Sequence, residues 1–210
     1  MFPQSKLTNT QRAMIQLTPR VRSIIVGVIL SDGWLQKRGH WNPRIALKQS
    51  IVNFPYLWIT YNELAYLCSG PIMLNSNVLR SKVFYSVTFQ TRQLACLLEI
   101  FDLFYTVVNG KRKKVIKKEL LSYMDYIVLA HWIMGDGSRR NKGVTFCTDG
   151  FPLQEVVLLI NILILKFDIK PVIHKEKGYY RIAINKYDLD KLRPHLTPHF
   201  VDHFLYKINQ

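Results

Sequence analysis

An apolar, small-residue segment ending in Asp-Gly occurs twice, and no other feature constrains the fold as strongly. It reads Ile25-Val26-Gly27-Val28-Ile29-Leu30-Ser31-Asp32-Gly33, and again Leu129-Ala130-His131-Trp132-Ile133-Met134-Gly135-Asp136-Gly137. Each copy lies in its own half of a 210-residue chain and is followed by a basic, strand-like stretch. A core helix has no need of a carboxylate at its C-terminal end, where the helix dipole is already partly negative. The repeated mismatch marks Asp32 and Asp136 as functional candidates.

The rest of the chain repeats in the same order. Pro19 suits a helix start, so residues 20–30 are expected as a buried helix stopped by Gly33 in a left-handed conformation. Strands are expected at 34–37 and 44–49, the second alternating Arg44, Ala46, Lys48 against Ile45, Leu47, Gln49. A helix at 53–67, a hairpin turning at Arg80-Ser81 and a helix at 94–104 follow. The second half offers a motif helix at 125–135 and a hairpin turning at Asn141-Lys142-Gly143. A helix at 152–167, a hairpin turning at Lys177-Gly178 and terminal helices at 187–193 and 198–208 complete it. The expected architecture is α+β: two pseudo-symmetric αββαββα halves, residues 1–108 and 121–210, related by a pseudo-twofold through the motif helices. Residues 1–20 read as a short cap or arm. Residues 109–120, whose first ten include six cations, read as a basic linker. Trp41, Trp58, Tyr61, Phe101, Phe104 and Phe167 are expected in the core.

Charge narrows the partner. Twenty-nine Lys and Arg against 14 Asp and Glu give a net +15, which calls for a polyanion. The longest apolar runs, 23–30 and 156–165, fall short of the ~20 residues a bilayer span needs, and residues 1–10 lack the pattern of a secretory signal. No membrane partner is expected. Cys68, Cys96 and Cys147 show neither zinc nor redox spacing and read as buried thiols in a reducing compartment.

A site follows from packing. Two helices approach closely where small residues face each other, and Gly27, Ser31, Ala130 and Gly135 are placed for that. If the motif helices form the pseudo-twofold interface, Asp32 and Asp136 converge at its foot, and their repulsion calls for a cation. Oxygen ligands without His or Cys favour Mg²⁺ or a similar hard ion. Four strands per half build a sheet with one polar, basic face, and two-stranded ribbons fit the DNA major groove. Metal-bound acids between two such sheets describe a hydrolase acting on the phosphodiesters of double-stranded DNA. Candidate DNA-contacting residues are Lys37, Arg38, Arg44, Lys48, Gln49, Arg80, Lys82 and Gln90 in the first half. In the second they are Arg139, Arg140, Lys142, Thr148, His174, Lys175, Lys177, Arg181 and Asn185.

The two copies, I-V-G-V-I-L-S-D-G and L-A-H-W-I-M-G-D-G, resemble the LAGLIDADG motif of homing endonucleases. The resemblance extends from about residue 20 to the closing Tyr206-Lys207-Ile208, and is strongest to the monomeric, two-motif enzymes of yeast mitochondrial introns. It implies a metal-dependent double-strand endonuclease, using Mg²⁺ with Mn²⁺ able to substitute, that leaves 3′ overhangs and propagates a mobile intron. It further implies a monomer, a mitochondrial location and a DNA target of about twenty base pairs, two helical turns. Asp32 and Asp136 would bind metal with the carbonyls of Ser31 and Gly135. Lys114, with Lys113 as the neighbouring register, and Lys207 would stand near the scissile phosphates, and Gln49 and Thr148 would support the metal waters. Leu30 and Met134 stand where the motif can carry a further acid, so each half has one carboxylate. His131 and Trp132 replace a glycine and an aliphatic residue, which implies asymmetric helix packing.

Two other readings share the scaffold: an RNA-binding maturase that helps its host intron splice, and a catalytically inert DNA-binding regulator. His195, His199 and His203 are spaced like a metal comb, but Pro198 breaks any helix through all three, so surface or phosphate contact is expected.

Overall fold

The computed structural model describes residues 6–209. Of the expected N-terminal arm, residues 1–5 lie outside the described residues. Within the arm, α1 (Asn9–Met14) is held by a reciprocal cap between Thr8 and Gln11 and has no buried residue. The first motif helix, α2 (Pro19–Leu30), begins with Thr18 accepting from the Val21 N–H and buries nine of its twelve residues. It leads into β1 (Trp34–Gln36), β2 (Arg44–Ser50), α3 (Phe54–Leu64), β3 (Met73–Leu79), β4 (Lys82–Gln90) and α4 (Leu98–Phe104).

The second half runs α6 (Tyr126–Asp136), β7 (Gly137–Arg140), β8 (Gly143–Phe146), α7 (Leu153–Phe167), β9 (Val172–Glu176), β10 (Tyr179–Ile184) and α8 (Lys186–Leu196). The two antiparallel sheets have one topology, β1-β2-β4-β3 and β7-β8-β10-β9. The αββαββα repeat is therefore present in both halves. No helix among the described residues is long and apolar enough to cross a membrane.

Between the halves the structure departs from the expectation. The basic stretch is largely a hairpin, with β5 (Tyr105–Val108) paired to β6 (Lys111–Lys114), followed by the short α5 (Leu120–Tyr123). Its turn, Asn109-Gly110, has φ of 51° and 73°, the left-handed pair that suits a tight hairpin. Arg80-Ser81 and Asn141-Lys142 turn the same way, at 49° and 62° and at 49° and 64°. The expected terminal helix at 198–208 is instead two short 3₁₀ segments, Thr197–His199 and Asp202–Lys207.

The motif helices pack parallel and in step. Near their N-terminal ends, Ser23 Oγ donates to Asp125 Oδ2 at 2.5 Å, and Asp125 Oδ1 caps the Val128 N–H at 2.8 Å. Midway, a Cβ on Gly27 would lie 2.6 Å from the Val128 carbonyl oxygen and 2.7 Å from His131 Cβ, so only glycine fits. At the far end, a Cβ on Gly135 would overlap Ser31 Oγ and Cβ. Three of the four small residues expected at this interface thus make its closest approaches. His131 and Trp132 do break the symmetry. The His131 ring lies 3.2 Å (Nδ1) from the Tyr56 hydroxyl, and the Trp132 ring packs tilted against Phe146, 4.1 Å between ring centres.

Gly33 and Gly137 do not stop their helices by a left-handed turn. Gly137 has φ −73°, and neither glycine is among the residues with positive φ. Both are needed for space, because a Cβ would run into Val28 or Ile133 of the helix just ended. Trp41 and Trp58 are 63% and 49% exposed, whereas Phe101, Phe104 and Phe167 are buried as expected. Among the thiols, Cys68 is buried, Cys96 half-buried and Cys147 exposed.

Candidate active site at the foot of the motif helices

Because the helices run in step, their C-terminal ends deliver Asp32 and Asp136 to one place. Asp32 Oδ2 lies 3.5 Å from where a Gly135 Cβ would stand, across the helix interface. Asp32 is exposed and Asp136 half-buried. Burial, reinforced by the charge of Asp32, pushes the Asp136 carboxyl up to about 7 even though Lys114 and Lys207 oppose the shift. A pair of acids at two helix C-termini, one resisting ionisation, fits a hard divalent cation that would neutralise them.

The supports are unequal. Gln49 Nε2 donates to Asp32 Oδ2 at 2.7 Å, and Asn53 Nδ2 donates to Gln49 Oε1 at 3.0 Å. Gln49 sits on the helix side of β2 with Ile45 and Leu47, buried, so it orients Asp32 and does not face DNA. Thr148, expected as its counterpart, is buried and its hydroxyl donates to the Tyr180 carbonyl at 2.5 Å. It therefore reaches neither DNA nor Asp136. Among the described residues, no side chain hydrogen-bonds the Asp136 carboxylate.

The two lysines arrive by different routes. Lys114, the last residue of β6 and half-buried, has its Nζ 5.7 Å from the Phe151 ring centre, whereas Lys113 beside it is exposed. Lys207 is buried, its Nζ 4.4 Å from the Phe204 ring centre. It donates to the Met134 carbonyl at 2.6 Å and to those of Ile133 and Gly135 at 3.2 and 3.4 Å, at the C-terminal end of α6. A cation there satisfies orphan carbonyls and offsets the dipole. Burial pulls both ammonium groups down to about 8, although Asp32 and Asp136 pull the other way.

Residue reasoning missed Asn53, Tyr56, Phe151 and Phe204, which shape the surroundings of the acids and lysines. Tyr56 is wholly buried, and its hydroxyl is pushed well above the usual range by burial and by the charge of Asp32. Asn53, four residues past Gln49, had a readable signal in its spacing; the apolar residues looked like any other core positions.

The wider surface sorts by strand register. One face of the first sheet carries Arg44, Lys48, Lys82 and Gln90, with Lys37, Arg38 and Arg80 in the adjoining loops. In the second sheet, Arg140, His174 and Arg181 share the corresponding face, and Lys142 and Lys177 sit in exposed turns. Arg139 and Lys175 pair with Val144 and Tyr180 and so fall on the opposite, helix-side face. Arg181 holds Asp149 at 2.9 Å and Glu176 at 3.1 Å, and Arg140 holds Glu176 at 3.0 Å, so neither offers a free guanidinium. Asn185 is the N-cap of α8, with Oδ1 accepting from the Asp188 N–H at 2.9 Å. Among the three histidines, His195 stacks on Tyr126 and His203 packs against Phe204.

The acids carry a pH signature. A carboxyl raised in the folded state keeps its proton where the unfolded chain has lost it, so without metal Asp136 costs stability progressively as pH rises from about 4 to about 7. A divalent cation bound there would remove that penalty. We therefore expect Mg²⁺ to raise the thermal midpoint more at pH 8 than at pH 5, where protons compete for the same oxygens. An equal effect at both pH values would separate cation binding from Asp136.

Two four-stranded sheets with basic residues on corresponding faces are joined by parallel helices that end in paired acids. The model of the LAGLIDADG DNA endonuclease family matches residues 22–192, and the chain belongs to that family. It is 31% identical over 202 residues to the cytochrome b mRNA maturase bI2 of Saccharomyces cerevisiae, an alignment covering 91% of this chain and 48% of that protein. The chain thus spans about half the length of that relative. It is 32% identical over 126 residues to the probable intron-encoded DNA endonuclease 3 of Mycosarcoma maydis, covering 59% of this chain and 93% of the relative. Among solved structures, the homing endonuclease I-WcaI bound to its DNA recognition sequence superposes with a TM-score of 0.86 at 23% identity, over 100% of this chain and 95% of that one. A variant of I-DmoI with its target DNA and manganese gives 0.51 at 12% identity, over 87% and 98%.

Proposed function

We propose that the protein is a site-specific DNA homing endonuclease that hydrolyses one phosphodiester in each strand of a duplex and leaves 3′ overhangs. The observation that carries this reading is the convergence of Asp32, Asp136, Lys114 and Lys207 around one helix-end junction between two basic sheets. Asp32 and Asp136, with the Ser31 and Gly135 carbonyls, would hold Mg²⁺, or Mn²⁺ in its place. Such a cation polarises phosphate and lowers the pKa of bound water. Gln49, fixed by Asn53, aims Asp32. Lys114 and Lys207, desolvated and about half protonated at pH 8, would stabilise the charge developing on the phosphate in their charged form and relay protons. The protein would act as a monomer, each half cutting one strand, in the mitochondrion and in the service of intron mobility.

The test is cleavage of a randomised plasmid library by the purified protein in Mg²⁺, in Ca²⁺ and in chelator. The expected result is a defined cut in Mg²⁺ and none in chelator. Binding to a duplex target should also fall steeply with salt, log K dropping linearly with log salt, because the basic faces release counterions. A salt-independent affinity measured by fluorescence anisotropy would remove the sheets from the interface. Similarity to an mRNA maturase favours a second reading, in which the scaffold binds its host intron RNA. Absence of any metal-dependent cut together with tight intron-RNA binding would make that reading the primary one.

A further inference from the structure

A second basic site stands away from the acids. Between α1, the β1–β2 loop and residues 91–93 lies a cleft of about 410 Å³, within the range of roughly 300–1,000 Å³ usual for ligand sites. Lys6, Arg12, Arg44 and Arg92 line it, and no acidic residue does. Among the described residues, none of these four cations forms an ion pair. Like charges gathered round one hollow repel. The Nε of Arg12 is buried without a hydrogen-bond partner. Arg92 is anchored by the Cys68 carbonyl, and Arg44 by Gln36 at 3.0 Å, so both are held at the cleft.

Trp41 supplies the other half of a site. It projects from the β1–β2 loop at 63% exposure and lines the main cleft and two smaller hollows beside it. A large exposed indole beside arginines offers a stacking platform for a base and cations for its phosphate. Arg44 belongs to the same sheet face as Lys48 and Gln90, so a strand lying on that face can continue into the cleft.

We propose that this cleft seats a nucleotide, its phosphate among Lys6, Arg12, Arg44 and Arg92 and its base against Trp41. The inference rests on the nucleic-acid-binding part of the function proposed above and not on cleavage. The nucleotide is either a flanking residue of the DNA target or an unpaired residue of RNA, and both present the same chemistry.

The experiment measures binding of the 210-residue chain, in chelator, to three labelled probes of equal length: duplex DNA, single-stranded DNA and single-stranded RNA. Trp41→Ala is expected to weaken at least one probe by roughly tenfold, and the probe affected identifies the source. Trp41→Phe should recover most of that loss, since a phenyl ring still stacks. Arg12→Gln should reduce the slope of log K against log salt by about one for the same probe. The exposure of Trp41 means its removal should leave the thermal midpoint unchanged. A folded Trp41→Ala protein that binds all three probes as the wild type does would overturn the proposal. Working in chelator keeps it apart from endonuclease activity: failure to cut any DNA leaves this result standing, and the reverse also holds.

Discussion

Asp136→Asn should lower double-strand cleavage by at least about 10²- to 10³-fold, the usual cost of removing one electrostatic contributor to a transition state, while DNA binding survives. The asparagine fits the space of the aspartate, so the fold has no reason to change. What it removes is a negative charge that burial and Asp32 hold at high energy. The same substitution should therefore raise the thermal midpoint of the metal-free protein at pH 8, where the wild-type carboxyl is ionised, and leave it unchanged near pH 4. Asp32→Asn should abolish double-strand cleavage too, with a smaller stability gain, because Asp32 is exposed and already hydrogen-bonded by Gln49. Loss of activity with gain of stability separates a functional acid from a structural one. Full cleavage by either variant would remove that aspartate from the site.

The second large effect concerns the helix interface. Gly135→Ala drives a Cβ into Ser31 Oγ and Cβ, beside Asp32 Oδ2. Overpacking of this kind costs about 1–3 kcal/mol, or about 2–4 °C of thermal midpoint per kcal/mol for a chain of this size. Prying the helix ends apart also separates the two acids, so cleavage should fall further than stability. The colliding atoms belong to one side chain, which makes the effect reversible in a particular way. Ser31→Gly in the Gly135→Ala background should recover most of the stability and much of the activity, while alone it leaves a small void. Gly27→Ala should have no such partner, since its Cβ meets the Val128 backbone carbonyl at 2.6 Å. A double-mutant cycle by denaturant unfolding measures the coupling. Additive losses at 31 and 135 would contradict the packing described here.

Much of this was legible in the residues, and the exceptions have physical reasons. The motif helices, their parallel pairing and the acids at their foot follow from Gly27, Ser31 and Gly135, because close packing needs small side chains at helical spacing. The β5–β6 hairpin was hidden by its own charge. Lys111 to Lys114 read as a solvated run, although Asn109-Gly110 between two strand-length segments is a strong hairpin signal. Trp41 and Trp58 look like core by composition, yet Trp41 projects from a loop and Trp58, packed only against Phe54 and Tyr61, keeps about half its surface open. Strand period predicts that neighbours face opposite ways, yet it does not say which face is outward. For that reason Arg139 and Lys175, counted among the outward cations, fall on the helix-side face. Arg181 was claimed by Asp149, a distant partner that a one-dimensional reading cannot pair with it, whereas Asn185 caps α8 through the nearby Asp188 N–H, a local signal that was readable.

The central claim is that Asp32 and Asp136 form one cation site across the helix interface. Mn²⁺ binding to the DNA-bound protein, followed by electron paramagnetic resonance, tests it directly with wild type, each Asp→Asn variant and the double variant. Wild type should hold Mn²⁺, each single substitution should weaken the same bound population, and the double variant should lose it. A double variant that binds as much Mn²⁺ with the same affinity as wild type would contradict the account.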